Sequence, residues 1–307
     1  MKSHIVERVL LPAAVTLLAL LSAFGIGTTR QRPVNDALVV IDITRSMNVR
    51  DMDGVARLDY TKQAMLDWIT ARPCGSRIGL GLFTERRSVT LFEPIEVCAN
   101  FSAIKGSLMG LDWRMAWDGD SMISKGLDYA LARAEDLGVS LIFITDGQEA
   151  PPLPFASAQK PGQSSPGGLI LGVGGDTSAP IPKYDDLGRE TGFYGAEDVQ
   201  HVPTRKSHSP SGGLDSSADA DGEESASEHL SSLRASYLQR LAEDRGLGFL
   251  RLAAGRAAID RALAQNAPTR MVTAARSLSP FLAGAALIML LFLWATNLRA
   301  RPVSERR

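Results

Sequence analysis

Short apolar runs alternate with stretches of helical periodicity along the middle of the chain, and this alternation restricts the fold more than any other feature of the sequence. The runs at 37–43, 139–145 and 169–173 are apolar over nearly their whole length, as expected of strands that are buried on both faces. Residues 57–70 and 121–137 carry apolar side chains at helical spacing. This order predicts an α/β fold, a doubly wound and Rossmann-like sheet of mostly parallel strands with helices on both faces.

The only two cysteines of the chain flank a predicted hairpin. Two strand-like runs, 78–83 and 88–92, are joined by a short polar turn. Because the positions of paired residues in an antiparallel hairpin sum to a constant, a turn centred near residue 85 or 86 places Cys74 opposite residue 97 or 98, so the two thiols could meet. We therefore expect a disulfide, which is typical of an oxidising compartment, with two separate buried thiols as the alternative.

Two polar segments interrupt the alternation. Residues 147–168 are rich in proline, glycine and serine, which predicts an irregular loop between two parallel strands. Residues 204–228 form an insertion whose later part holds six acidic residues and no lysine or arginine, and we expect it to be disordered and solvated. A helix over 230–245 and a strand over 248–252 follow, so the domain is expected to extend over residues 29–254.

Two uncharged apolar stretches flank this domain. Residues 9–28 and 278–298 are each long enough to cross the apolar core of a bilayer as a helix, with a cleaved signal segment as the alternative for the first. Basic residues in the tail at 299–307 predict a cytoplasmic C-terminus, and an even number of spans then places residues 1–8 inside as well. Residues 255–277 are expected to form a juxtamembrane helix.

Oxygen-bearing side chains stand at the ends of two predicted strands and at the start of a predicted helix. Ligands of open α/β sheets bind beyond the carboxyl ends of the strands, so we expect these groups to meet at one edge. The predicted metal ligands are Asp42, Thr44, Ser46, Ser121 and Asp146. Carboxylates and hydroxyls are hard donors that favour Mg²⁺, with Ca²⁺ and Mn²⁺ as alternatives. Each residue taken alone could equally be a helix cap or a turn residue.

The charge of this donor set indicates how the ion would be used. Two carboxylates, Asp42 and Asp146, can just neutralise a divalent cation, and neutral hydroxyls are weak donors. The ion therefore stays electrophilic and can accept an acidic side chain from another protein. A formal net charge of -1 for the whole chain gives no basic surface, so nucleic acid is not a predicted partner.

The pattern Asp42-x-Thr44-x-Ser46, the turn at Ser121 and the run Thr145-Asp146-Gly147 resemble the metal-ion-dependent adhesion site of von Willebrand factor A (VWA) domains. The resemblance covers residues 37–254. Within it, Arg57-Leu58 and neighbouring segments are similar to the bacterial branch of two-anchor aerotolerance (Bat) proteins. The segments 42–52 and 146–152 resemble MxaL-type proteins of methanol dehydrogenase gene clusters. Two exchanges depart from the usual pattern, since Thr44 replaces serine and Ser121 replaces threonine, but both keep an oxygen at the same reach.

This resemblance implies a non-enzymatic module that binds proteins through a divalent cation. The hydroxyls of Thr44, Ser46 and Ser121 would touch the ion directly, and a partner protein would supply an aspartate or glutamate. The resemblance also implies anchorage in the bacterial inner membrane with the domain facing the periplasm. There it would work with a MoxR-type AAA+ ATPase and other VWA membrane proteins in the maturation, metal insertion or assembly of an envelope protein such as methanol dehydrogenase.

A second interpretation belongs to a different class of function. Gly119-Asp120-Ser121 resembles the GDS signature of SGNH hydrolases, and Asp198 and His201 match their Asp-x-x-His block, which would make Ser121 the nucleophile of an acyl hydrolase. The residues before Ser121 are polar and broken, however, where such an enzyme needs a buried strand. Trp113 and Trp117 flank the same loop, and core packing or contact with a partner would each account for them.

Overall fold

The computed structural model describes residues 11–23, 27–116, 121–150, 166–185, 187–195, 198 and 229–299. Its helices are α1 (Leu11–Ala23), α2 (Arg57–Thr70), α3 (Val97–Met109), α4 (Ile123–Asp136), α5 (Ala235–Asp244), α6 (Arg256–Asn266) and α7 (Ser279–Arg299). Its strands are β1 (Gly27–Val34), β2 (Ala37–Asp42), β3 (Arg77–Thr84), β4 (Arg87–Glu96), β5 (Ser140–Thr145), β6 (Gly168–Gly172), β7 (Ala179–Pro180), β8 (Pro182–Tyr184), β9 (Glu190–Phe193), β10 (Leu230–Ser231), β11 (Gly248–Arg251) and β12 (Arg270–Ser277). The chain divides into a central unit, Pro33–Arg270, and a smaller unit formed by its two ends.

A six-stranded sheet with the order β11-β6-β5-β2-β3-β4 forms the centre of the larger unit. All neighbouring strands are parallel except β3 and β4, which form an antiparallel hairpin. Counted along the chain, these six strands have the order 3-2-1-4-5-6 of doubly wound folds. The predicted α/β fold with a mostly parallel sheet is therefore confirmed.

Helices bury an apolar core against each face of the sheet. Side chains of β2 alternate between the faces, so that Val39 packs with α2, α3 and α6, whereas Val40 packs with α4 and α5. On the first face Trp68 of α2 is fully buried, and on the second face Leu127 of α4 is. Because β2 is buried on both faces, its sequence is an uninterrupted apolar run up to Asp42.

The hairpin lies where the sequence places it, as the antiparallel pair β3 and β4. Cys74 and Cys98 are bonded, with their Cα atoms 5.2 Å apart. Cys98 lies in the first turn of α3, a helix that the sequence analysis did not identify. The Glu96 carboxylate accepts hydrogen bonds from the backbone N–H groups of Gly75 and Ala99, both at 2.6 Å, so the residues next to both cysteines are held by one side chain.

Two helix predictions are wrong in extent. The predicted helix over 230–245 begins only at Ala235, because Leu230 and Ser231 pair with β7 as strand β10. The predicted juxtamembrane helix over 255–277 is instead α6 followed by strand β12. Ile259 and Leu263, one helical turn apart, are buried in the core of the central unit, so α6 belongs to the domain. The helical stretch ends before the proline at position 268, because a proline disfavours helical geometry in the residue that precedes it.

The smaller unit contains α1, α7 and the paired strands β1 and β12. The first predicted span, 9–28, is wrong as a single helix, because α1 ends at Ala23 and β1 begins at Gly27. The Ser22 hydroxyl donates a hydrogen bond to the Ser279 carbonyl at the start of α7 (3.0 Å). Among the described residues, no helix combines the length and the apolar character that crossing a membrane requires.

Several sequence predictions fall outside the described residues. They are the cytoplasmic segment 1–8, most of the tail 299–307, the middle of the loop 147–168 and the acidic insertion 204–228.

Candidate metal-binding site

The predicted ligands lie where the strand order of the sheet reverses. From β2 the chain continues to β3 on one side, whereas β5 pairs with β2 on the other side. This switch point at the carboxyl edge is where doubly wound folds bind their ligands. Asp42 ends β2, and Asp146 follows β5 directly.

The structure brings Asp42, Thr44 and Ser46 into direct contact. The Asp42 Oδ1 atom accepts hydrogen bonds from the backbone N–H of Thr44 (2.8 Å) and from its hydroxyl (2.7 Å). The Thr44 Oγ1 and Ser46 Oγ atoms lie 3.4 Å apart. Thr145, at the end of β5, donates its hydroxyl to Asp42 Oδ2 (2.7 Å). The carboxylate of Asp42 is therefore held by both loops and is fully buried.

Asp146 lies close enough to Asp42 for their charges to interact. Burial, and after it the charge of Asp146, raises the pKa of Asp42 to about 7. Asp146 Oδ1 accepts the backbone N–H of Gln148 (3.0 Å), and Oδ2 accepts the Ser231 hydroxyl (3.1 Å). Two buried carboxylates at one edge favour the approach of a cation or a proton.

Ser121 lies across the end of β2. Its backbone N–H donates to the Ala150 carbonyl (2.7 Å), and its carbonyl accepts the Ala150 N–H (2.8 Å). The next residue, Met122, donates its N–H to the carbonyl of Glu85 (2.6 Å). Ala150 follows β5 and Glu85 follows β3, and these two strands flank β2. The third loop of the predicted site thus reaches the same edge as the other four ligand positions.

The hydrogen bonding of the Ser121 hydroxyl tests whether a cation fits this site. Ser121 is buried, and its Oγ atom makes no hydrogen bond to any described residue. An unsatisfied buried hydroxyl costs about 1–3 kcal/mol, and a hard cation beside it would supply the missing partner. The other predicted donors are also oxygens, two hydroxyls and two carboxylates, so the set suits Mg²⁺, Ca²⁺ or Mn²⁺.

Sequence reasoning missed Arg57 as a site residue. This side chain is fully buried, and its Nη1 atom donates to Asp146 Oδ2 (2.7 Å) and to the Ser231 hydroxyl (2.6 Å). Its Nε and Nη2 atoms donate to the two oxygens of Asp51 (2.9 and 2.5 Å). One signal was present in the sequence. Arg57 begins α2, where the helix dipole disfavours a cation, so nearby acids are needed to hold it there.

Glu149 is the second residue that sequence reasoning missed. Its carboxylate accepts the backbone N–H groups of Ile123 and Ser124, both at 2.9 Å, at the start of α4. Tyr237 of α5 donates its hydroxyl to the same carboxylate (2.5 Å). Burial raises the pKa of Glu149. By capping α4, Glu149 fixes the loop after β5 against the helix that follows Ser121.

The remaining candidate residues lie apart from this cluster or outside the described residues. Asp198, proposed for the hydrolase interpretation, accepts hydrogen bonds from Lys183 (2.6 Å) and from the backbone N–H of Gly195 (3.0 Å). His201 and Trp117 lie outside the described part of the chain. The Trp113 ring stacks on Tyr184 with ring centroids 4.8 Å apart and packs at the margin of the core, which favours a packing role for it.

The fold and this edge define a class of protein: a doubly wound α/β domain with an oxygen-rich candidate cation site at its switch point. No protein-family model matches the chain, and no curated protein matches it. Among solved structures, the chain is similar to an aerotolerance-related membrane protein from Bacteroides fragilis, with 17% identity over 75% of this chain and 99% of that chain and a TM-score of 0.49.

Two further solved structures are similar to the chain. One is BatB from Bacteroides thetaiotaomicron, a conserved hypothetical protein, with 18% identity over 75% of this chain and 98% of that chain and a TM-score of 0.48. The other is the ArnB paralog VWA2 from Sulfolobus acidocaldarius, with 15% identity over 47% of this chain and 36% of that chain and a TM-score of 0.34. Similarities at this level carry no information about the function of this chain.

Proposed function

We propose that this protein is a non-enzymatic module that binds another protein through a divalent cation, with Mg²⁺ as the first candidate. The hydroxyls of Thr44, Ser46 and Ser121 hold the ion, and the carboxylates of Asp42 and Asp146 stand behind them. The observation that carries the proposal is the buried Ser121 hydroxyl, which lacks a partner among the described residues and lies across the end of the strand that bears Asp42.

The hydrogen bonds of the two carboxylates support this division of roles. Asp42 Oδ1 already accepts two hydrogen bonds from Thr44, and Asp146 Oδ2 accepts two from Arg57 and Ser231. Since a carboxylate oxygen has about two acceptor positions, these two oxygens are filled. Asp42 Oδ2 and Asp146 Oδ1 each accept one hydrogen bond, from Thr145 and Gln148. We assign the direct contacts to the hydroxyl oxygens, and an ion held by neutral oxygens keeps enough charge to bind a partner's aspartate or glutamate.

The hydrolase interpretation needs a base that activates the Ser121 hydroxyl. That hydroxyl has no hydrogen bond with a described residue, and Asp198 is paired with Lys183. A bound cation accounts for Ser121 together with the hydroxyls and carboxylates near it. The hydrolase interpretation does not explain why those groups are there.

Titration calorimetry with Mg²⁺ and Ca²⁺ tests the site. We expect Asp42→Asn to weaken cation binding at least tenfold, while the circular dichroism spectrum stays that of the wild type, because asparagine keeps the oxygen that accepts the bonds from Thr44. The matched control is Asp67→Asn, since Asp67 lies on α2 with 68% of its side chain exposed. Equal cation binding by the wild type and Asp42→Asn contradicts the proposed site.

The partner is proposed on the resemblance stated in the sequence analysis. It is an envelope protein under maturation at the periplasmic face of a bacterial inner membrane, with a MoxR-type ATPase taking part. Methanol dehydrogenase is the first candidate. Co-purification of the full chain in Mg²⁺ and in a chelator tests this, and we expect the partner to be lost in the chelator and in Asp42→Asn. A partner retained under both conditions contradicts a cation-dependent contact.

A further inference from the structure

We propose that Arg57 is an internal counter-cation, which competes with the divalent ion for Asp146 and so holds down the affinity of the site. The inference rests on the proposed function, since it concerns the same ion. Arg57 is a positioning and tuning residue in this scheme: it reaches the backbone carbonyl of Ser46 (3.4 Å) and has no hydrogen bond to the hydroxyl oxygens of Thr44, Ser46 or Ser121.

The Arg57 guanidinium next to Asp146 stays positively charged. Both side chains are fully buried, and the Nη1–Oδ2 distance is 2.7 Å. A guanidinium stays protonated in proteins, and its pKa is raised further because the bonds to Asp51 and the charge of Asp146 outweigh the effect of burial. A divalent ion that approaches Asp146 therefore meets a fixed positive charge within the same buried cluster.

Arg57 cannot easily turn away from Asp146. Asp51 accepts two of its N–H groups and is itself held by the backbone N–H of Gly175 (2.7 Å). At Gly174, a Cβ atom would lie 2.8 Å from Arg57 Nε, so the backbone there closes over the guanidinium. The Ser231 carbonyl accepts Nη2 at 3.2 Å. Residues from the four segments that follow β2, β5, β6 and the acidic insertion thus hold the Arg57 guanidinium against the Asp146 carboxylate.

The charge balance of this cluster explains how Arg57 lowers the affinity of the site for a divalent ion. When all three are ionised, Asp42, Asp51 and Asp146 carry three negative charges, and Arg57 balances one of them. The two that remain just balance a divalent ion, so the site holds the ion without the surplus of negative charge that strong binding uses. A carboxylate from the partner protein supplies that surplus. Ion and partner are then expected to strengthen each other's binding, because coupling between two ligands is reciprocal.

The test is the Mg²⁺ affinity of Arg57→Met, measured by titration calorimetry and by the shift of the melting temperature. We expect Mg²⁺ to bind about tenfold more tightly than to the wild type, although the metal-free variant is less stable. Arg57→Lys keeps the charge and is expected to keep an affinity close to that of the wild type. Arg245→Met is the matched control, since Arg245 is also buried and paired with an acid, Asp128 (2.8 Å), but directly follows α5. It is expected to lose stability without a change in Mg²⁺ affinity.

A second variant covers the case in which Arg57→Met does not fold. Arg57→Met with Asp51→Asn leaves no unpaired carboxylate at position 51 and is expected to show the same gain in affinity. A purely structural role for Arg57 predicts equal or weaker Mg²⁺ binding in these variants, and either result overturns the inference while the proposed site stands. If neither the wild type nor the Arg57 variants bind a divalent cation, the proposed function and the inference both fail.

Discussion

Replacement of Ser121 by alanine is expected to have opposite effects in the presence and absence of the cation. In the metal-free protein the Ser121 hydroxyl is buried without a hydrogen bond to a described residue. Removing it should raise the free energy of unfolding by about 1 kcal/mol, because an unsatisfied buried hydroxyl costs about that much or more. With the cation bound, the same change removes a direct ligand and should weaken binding.

The size of the second effect follows from mass action. At a cation concentration about 100 times the dissociation constant, the wild type gains about 2.7 kcal/mol of stability. If the loss of one direct ligand weakens binding about 100-fold, the same concentration equals the dissociation constant of the variant. The gain then falls to about 0.4 kcal/mol. The metal-induced increment should therefore nearly disappear in Ser121→Ala, although the metal-free protein is slightly more stable.

Ser140→Ala provides a closely matched control. Ser140 is also buried with a hydroxyl that lacks a partner among the described residues, but it begins β5 at the opposite edge of the sheet. Urea unfolding of the wild type and both variants, with and without Mg²⁺, gives six free energies of unfolding and, for each protein, the increment that Mg²⁺ adds. We expect Ser140→Ala to keep the full increment of the wild type. If the two variants show the same increment, the Ser121 hydroxyl is not a ligand and the reasoning is wrong.

Two further predictions concern pH and packing. Burial and the charge of Asp146 raise the pKa of Asp42 to about 7, so the stability that protonated Asp42 contributes to the metal-free protein is lost as pH rises through about 7. The Mg²⁺-induced shift in melting temperature should therefore grow from about pH 5 to about pH 8. Asp42→Asn should lose this pH dependence. Gly126→Ala should lower the free energy of unfolding by about 1–3 kcal/mol in urea, because its Cβ would lie 2.1 Å from the Phe83 ring; the helical Gly106, which has open space, should tolerate alanine.

The elements predicted well are those whose pattern is complete within one segment. Helix α2 spans Arg57–Thr70 as predicted, because its apolar stripe and the proline at position 73 both lie in the local sequence. The core strands β2, β5 and β6 match to within a residue or two, because burial on both faces makes them continuous apolar runs. At 255–277 the sequence predicts a juxtamembrane helix and the structure has α6 and β12, because the apolar residues of this segment could face a protein core or a bilayer equally well.

The strand-end rule gave most of the candidate site but not its electrostatics. Asp42, Thr44 and Ser46 follow one strand, and their contacts are local. Arg57 and Asp146 are 89 positions apart in the sequence, and Arg57 and Ser231 are 174 apart. No spacing rule connects such pairs, so the sequence indicates two carboxylates facing an ion, whereas the structure adds a buried cation, Arg57, bonded to Asp146.

The sequence by itself determined the core strands β2, β5 and β6, helix α2, the hairpin flanked by the two cysteines and the types of donor atom at the carboxyl edge, because periodicity and residue chemistry act over a few neighbouring positions. Only the tertiary structure decided that Ser121 lies across the end of β2, that its hydroxyl is left without a described partner and that Arg57 pairs with Asp146. Those features depend on which distant segments the folded core brings together, and packing over the whole domain sets that.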